Sequence, residues 1–223
     1  MLFLMTACGD DDYYYPSVKL EFVTVKAGAD GLIQSLLPDK GELLTVAKDR
    51  TGSTISPNSA RRVISNYEVN PEDATAVIYS LQSVVTPEPK VADDPAFEGG
   101  LKYDPVDVTS IWLGRDYLNM ILNVKININS GKQHVFGMIE ESVEAEGDET
   151  VVTLSLFHDA NGDEENYNRR AYISVPLTKY VDEENPHQTI RIKFKYHTTD
   201  KSGVVVESSK YCDPGFEYVP GVN

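Results

Sequence analysis

LNVKININ, residues 122–129, decides the fold class of this 223-residue chain. Leu122, Val124, Ile126 and Ile128 alternate one by one with Asn123, Lys125, Asn127 and Asn129. Successive side chains of a strand point to opposite faces, so a period of two places one row on a core and the other in water. TIRIKFKYH, residues 189–197, repeats the pattern, with Ile190, Ile192, Phe194 and Tyr196 predicted inward and Arg191, Lys193 and Lys195 outward. Apolar residues at helical spacing form no long stripe, although LTKYVDEE at 177–184 suits one short helical turn or an acidic turn.

Working outward, the same alternation recurs in VDVTSIWL, YLNMILNVKINI, KQHVFGMIEE, TVVTLSLFHD, RRAYISVPL, TIRIKFKYHT and GVVVESS. Seven such runs joined by turns suit an antiparallel β-sandwich over residues 105–223. Upstream, VKLEFVTVK, GLIQSLLP, GELLTVAKD, RRVISNYEV and TAVIYSLQSVV are separated by turn residues such as Ala29-Asp30-Gly31 and Asp39-Lys40-Gly41. Five short strands within residues 17–86 suit a small barrel of the OB type. Between them PEPKVADDPAFEGGLKYD, with Pro87, Pro89, Pro95 and the pair Gly99-Gly100, loses the alternation and is expected to be a linker over residues 87–104. The expectation is an all-β protein: a five-stranded OB-type barrel followed by the sandwich.

Charge narrows the partners. Lys plus Arg number 20 against 35 Asp plus Glu, a net charge of -15. Such a field repels phosphate backbones, and the barrel segment has neither a surplus of basic residues nor the interleaved aromatics of a single-strand binder, so nucleic acid is not an expected partner. With two cysteines, Cys8 and Cys212, no disulfide framework is expected.

The N-terminal stretch MLFLMTACGDDDYYYP carries an address. Leu2 to Ala7 are the tail of an apolar signal region without its basic front end, which implies a start further upstream. Thr6 and Ala7 are the small residues a lipoprotein peptidase needs before the cysteine, so Cys8 is the expected lipidation site. Gly9, Asp10, Asp11 and Asp12 read as a surface-export signal. Residues 1–16 are then a truncated lipoprotein signal and acidic tether, and membrane attachment runs through a lipid on Cys8. The expected location is the outer membrane, exposed at the cell surface.

ACGDDD, PVDVTSIWLGRDYLNMILNV, KQHVFGMIEE and LSLFHDANGDEENYNRRAYISVPL together resemble the NigD-like lipoproteins of the Bacteroidota. That resemblance covers nearly the whole chain and implies an N-terminal OB-type domain followed by a C-terminal β-sandwich. The family takes its name from a bacteriocin gene cluster, and no activity is settled for it. The expectation from the sequence as a whole is a non-catalytic binding or interaction module of the cell envelope, with a protein or glycan ligand; a bacteriocin-linked immunity or antagonism protein, suggested by the family name, is the alternative, and an accessory of polymer hydrolysis a more distant one.

The remaining candidates are weighed on their chemistry. HDANGDEENY, residues 158–167, gathers Asp159, Asn161, Asp163, Glu164 and Glu165, but Gly162 falls at the wrong place for an EF-hand; a polar hairpin loop built on Asn161-Gly162 is expected. EESVEAEGDE, residues 140–149, reads as an acidic hairpin. His134, His158, His187 and His197 have no zinc-ligand spacing, so neither metal nor cofactor is expected. Nucleophile elbows, P-loops and dinucleotide fingerprints are absent, and no enzyme activity is expected. Trp112, the one tryptophan, is expected in the sandwich core, with a sugar-stacking platform or a protein-binding hot spot as the alternative. Cys212 is expected as a small packed residue.

Overall fold

The computed structural model describes residues 18–147, 149–163 and 167–221. Cys8, Gly9, Asp10, Asp11, Asp12, Glu164 and Glu165 lie outside the described residues.

Five strands, β1 (Val18–Ala27), β2 (Ile33–Pro38), β3 (Leu44–Asp49), β4 (Ala60–Asn70) and β5 (Thr75–Ser83), close a barrel in the order β1-β2-β3-β5-β4. Its interior is the alternating apolar row of each strand: Val23, Val25, Leu36, Val63, Tyr67, Ala76 and Ile78 are all buried. β3 and β5 pair in parallel, and the other barrel pairs are antiparallel. Gly31, at φ 79°, turns β1 into β2; a Cβ there would sit 2.8 Å from the Ile55 carbonyl oxygen, so both the backbone and the space demand glycine.

The second unit stacks two sheets. One runs β13 (Val205–Tyr218), β12 (Ile190–Thr199), β10 (Glu149–Asp159), β9 (Val135–Glu146), β6 (Pro89–Val91); the other runs β11 (Tyr167–Pro176), β8 (Tyr117–Ile126), β7 (Asp107–Gly114). Leu118, Met120, Leu122 and Val124 of β8 face Ile190, Ile192, Phe194 and Tyr196 of β12 within one core. The sandwich is thus present, but β10–β12 and β6–β9 pair in parallel rather than antiparallel. A three-residue 3-10 turn occupies Thr178–Tyr180.

Four local expectations are corrected. The expected linker at 87–104 contains β6, paired with Met138 to Glu140 of β9, and a 3-10 turn at Pro95–Phe97 that buries Phe97 against Phe157. Three strand residues are too few for alternation to register. Ile128 is 69 % exposed, because β8 ends at Ile126 and Asn127 to Ser130 form a turn. The loop after Asp159 is not a hairpin: β10 belongs to one sheet and β11 to the other, so the chain crosses between layers there. Its Asn161 and Gly162 nevertheless take φ values of 53° and 63°, the left-handed turn their residue types favour. Trp112 is only half-buried and lies on the outer face of the three-stranded sheet, edge-on to Phe22 of the barrel (centroids 5.3 Å apart, 84° between planes). The acidic segment at 140–149 does form the β9–β10 hairpin.

Candidate functional site

The outer face of β11-β8-β7 is covered by β1 and β4 of the barrel, and the seam between them has a polar centre. Arg62 of β4 is buried and donates to Ser174 Oγ (3.0 Å), Asn119 Oδ1 (3.2 Å) and Thr24 Oγ1 (3.4 Å), while ion-pairing with Asp39. Asn119 Nδ2 donates to the other oxygen of Asp39 at 2.7 Å, and Ser174 donates to Asn119 Oδ1 at 2.6 Å. The guanidinium carbon lies 4.3 Å from the Tyr117 ring centre. A buried guanidinium is tolerated only when its donors are met, and four acceptors meet them here, with the Tyr117 ring against its face. Gly114 lets Asp39 in: a Cβ on Gly114 would lie 2.1 Å from Asp39 Oδ2. Backbone bonds extend the seam, with Val85 N–H to Tyr172 O and Ser174 N–H to Val85 O, each 2.9 Å.

The seam opens at this centre, in a space of about 360 Å³ between Thr24, Arg61, Arg62 and Tyr117, and again to either side of it. One side is an aromatic groove of about 370 Å³, where Phe22, Ile64, Trp112, Ile121 and Tyr172 form the apolar wall and Lys40 and Arg170 reach the edge. The other is a cavity of about 530 Å³, built from Gln82, Ser83 and Val85 of the barrel segment and from β8, β9, β11 and the β8–β9 turn of the sandwich.

His134 forms a wall of the second cavity and separates it from a smaller one of about 240 Å³. β9–β10 pairing sets His158 opposite Phe136, which brings residues 24 apart in sequence together: His134 Nδ1 lies 2.9 Å from His158 Nε2. His158 Nδ1 is 2.9 Å from the Asp104 carbonyl oxygen. That oxygen can only accept, so His158 carries its hydrogen on Nδ1 and accepts from His134 through Nε2. Burial pushes the His158 imidazole below its ordinary value, with the Asp104 carbonyl pulling the other way. His134 Nε2 makes no hydrogen bond among the described residues and approaches Asp163 Oδ2 at 3.4 Å; that oxygen also accepts from Asn127 N–H at 3.0 Å.

The oxygen-rich loop at 158–167 spends its described oxygens on its own backbone and neighbours. Asp159 Oδ1 caps Asn161 N–H (2.7 Å), the Asn161 side chain donates to Gln133 O, and Asp163 turns toward Asn127 and His134. Among the described residues no three His, Cys, Asp or Glu side chains converge to hold a metal ion. Cys212 is half-buried, its thiol 3.6 Å from the Phe194 carbonyl oxygen, and burial raises its pKa.

Alternation alone does not reveal Arg62, Asp39, Asn119 and Ser174, but two signals were available. RVIS in β4 breaks the period of two, as a strand covered on both faces must, and Tyr117 and Ile121 put apolar groups on the nominally wet face of β8. The His134–His158 contact carries no local signal, since it exists only through the β9–β10 register.

Residues 22–84 match the family model described as the NigD-like N-terminal OB domain, and residues 89–207 that of the NigD-like C-terminal beta sandwich domain. A crystal structure of a NigD-like immunity protein from Bacteroides caccae is 70% identical, with a TM-score of 0.83 over 93% of this chain and 100% of that one. A structure from Parabacteroides distasonis, 17% identical, superposes with a TM-score of 0.69 over 92% of this chain and 95% of that one. A protein of unknown function from Bacteroides vulgatus, also 17% identical, reaches 0.63 over 93% and 96%; these two likenesses speak to fold alone. No curated protein matches the chain.

Proposed function

The chain belongs to the NigD-like family, and from that premise we propose that it is a non-catalytic binding protein of the cell envelope, tethered by a lipid on Cys8 and directed outward by Gly9, Asp10, Asp11 and Asp12. One observation supports the binding reading above others. A cavity of about 530 Å³ is assembled from both domains, which a buried polar network holds in fixed register, so its walls are formed before any ligand arrives. The tether suits an envelope location: each buried methylene of an acyl chain contributes about 0.8 kcal/mol, and two or three chains anchor stably.

A second reading is favoured by the Bacteroides caccae relative, described as an immunity protein and 70% identical. In that reading the envelope-held binder captures an incoming toxin protein rather than a small molecule.

The test uses a Bacteroides host and a gene carrying a complete signal peptide. Labelled palmitate is expected on the wild type and not on Cys8→Ala; whole-cell protease is expected to remove the wild type and spare the variant with Asp10, Asp11 and Asp12 changed to Ala. Label that persists without Cys8 overturns the anchor. Bacteriocin challenge of a strain lacking the gene, with and without the restored protein, separates the second reading from the first: protection supports immunity, and equal killing removes it.

A further inference from the structure

Strand β11 ends its sheet, and only part of its outer edge is covered. Val85, on the segment leaving the barrel, bridges Ile173 in parallel: its N–H donates to the Tyr172 carbonyl, and its own carbonyl accepts from the Ser174 N–H. Those two bonds show which residues of β11 turn their backbone groups outward, because the N–H and C=O of successive strand residues point to opposite edges. Tyr172 and Ser174 point away from β8, so Asn168 and Arg170 do as well, while Arg169, Ala171 and Ile173 are committed to β8. The backbone groups of Asn168 and Arg170 have no partner among the described residues, and both residues are exposed. At roughly 3.3 Å per residue, the stretch from Asn168 to Tyr172 is an open track of about 13 Å, continuous with the Val85 bond.

The track runs beside the cavity of about 530 Å³, which has Arg169 to Tyr172 on one side and Val124, Ile126, Ile128 and Phe136 beyond it. Ile128 is 69 % exposed and Val85 40 %, so apolar groups are left uncovered where the edge is uncovered. Proteins normally hide an open edge, and one bordered by uncovered apolar side chains is a template for another strand. Arg169 and Arg170 lie on opposite faces of β11, the first with Ala171 and Ile173 and the second with Tyr172, so a strand laid here meets an arginine on each face. A second copy of this chain, paired antiparallel through the same stretch, sets these arginines against their counterparts, and like charges across a strand pair repel. An acidic strand meets opposite charge instead. We propose that the β11 edge is completed by an extended peptide segment of a partner protein, alternating apolar and acidic residues, which adds a strand beside Asn168 to Tyr172. Its apolar side chains enter the cavity toward Phe136, and its acidic ones meet Arg170. The inference deepens the second reading above, capture of a protein, and rests on it.

Amide hydrogen exchange followed by NMR tests the edge without any ligand. The N–H groups of Asn168 and Arg170 are expected to exchange at least about tenfold faster than those of Arg169 and Ala171, which face β8. Equal protection overturns the open edge and the proposal with it, while leaving the binding reading in place. The probe for binding is a capped peptide of alternating valine and glutamate, compared with two versions that carry N-methyl groups on every valine or on every glutamate. Successive N–H groups of an extended peptide point to opposite edges, so one N-methylated version is blocked from pairing and the other is not. The parent peptide is expected to give saturable shifts at the amides of residues 168–172, lost in one N-methylated version and kept in the other. No saturable binding by the parent, or loss in both versions or in neither, overturns the proposal. Arg170→Pro removes an outward N–H without touching a bond to β8, and is expected to weaken the peptide by at least about tenfold while the protein stays folded. An unchanged affinity in that variant overturns the proposal. Sedimentation that shows a dimer dissolved by Arg170→Pro assigns the edge to a second copy and overturns it too.

Discussion

Arg62→Met keeps the apolar stem of the side chain and removes the guanidinium from the seam. It deletes the bonds to Ser174, Asn119 and Thr24, the pair with Asp39 and the contact with the Tyr117 ring. Removing one partner of a buried ion pair costs about 3–5 kcal/mol, chiefly because the other charge is stranded. Asp39 is not wholly stranded: its side chain is 13 % exposed and keeps the 2.7 Å bond from Asn119, which places the loss near the lower limit, about 3 kcal/mol. Replacing both partners, Arg62→Met with Asp39→Leu, leaves no charge behind, and its cost should fall to within about 1 kcal/mol of the wild type. The assay is urea unfolding followed by two probes. Trp112, the one tryptophan, touches Phe22 across the seam and reports docking, whereas far-UV circular dichroism reports the sheets. The wild type should give coincident transitions; Arg62→Met should lose the Trp112 signal first. An Arg62→Met loss below about 1 kcal/mol, or a double variant as unstable as the single one, would refute the claim that charge satisfaction holds the domains together.

Segment 87–104 should resist trypsin despite Lys90 and Lys102, because Lys90 lies in β6 and the Lys102 carbonyl accepts from His158 N–H; early cleavage at either, followed by two stable fragments, would show it to be a free linker after all. Phe97→Ala removes a buried ring packed on Phe157, Ile139 and Tyr103 and should cost about 3 kcal/mol in chemical denaturation, with a loss under 1 kcal/mol contradicting that packing. The pH response follows from His158, whose folded pKa lies below its ordinary value of 6.5. Below that value the unfolded chain takes up the proton before the folded one, so stability should fall as pH drops from 6.5 toward the folded pKa, by at most about 1.4 kcal/mol per pH unit. His158→Gln should flatten that part of the profile, and an identical profile in the variant would dissociate the effect from His158.

What could be read in the sequence was whatever is local. A period of two is a property of a single strand, so runs such as LNVKINI and TIRIKFKYH announce themselves, and the turn at Asn161-Gly162 does too. Which sheet a strand joins is not local: the turn after β10 has hairpin chemistry yet delivers β11 to the opposite layer. Strand β6 is too short to show a period and contains proline, the residue that signals a break. The seam was legible only as irregularity, in the unbroken burial of Arg62 to Ser65 and in the mixture of Tyr117, Asn119 and Ile121 on one face. The cavity groups were the least accessible, because Gln82 of the barrel and His134 of the sandwich line one space only after both domains have folded and docked.

Arg62 and Ser174 are 112 residues apart. During synthesis at roughly 5–20 residues per second, the barrel is complete on the order of ten seconds before the strand that covers it exists. Through that interval the Arg62–Asp39 pair is an ordinary surface pair in water, costing little, but Phe22, Ile64 and Val84 stand bare beside it. The nascent barrel thus carries a sticky face with a hydrated ion pair at its centre, and the charge that must later be stripped of water is also what discourages two unfinished chains from joining there. The seam is in this sense a timing device, in which the same arginine guards the face early and locks it late.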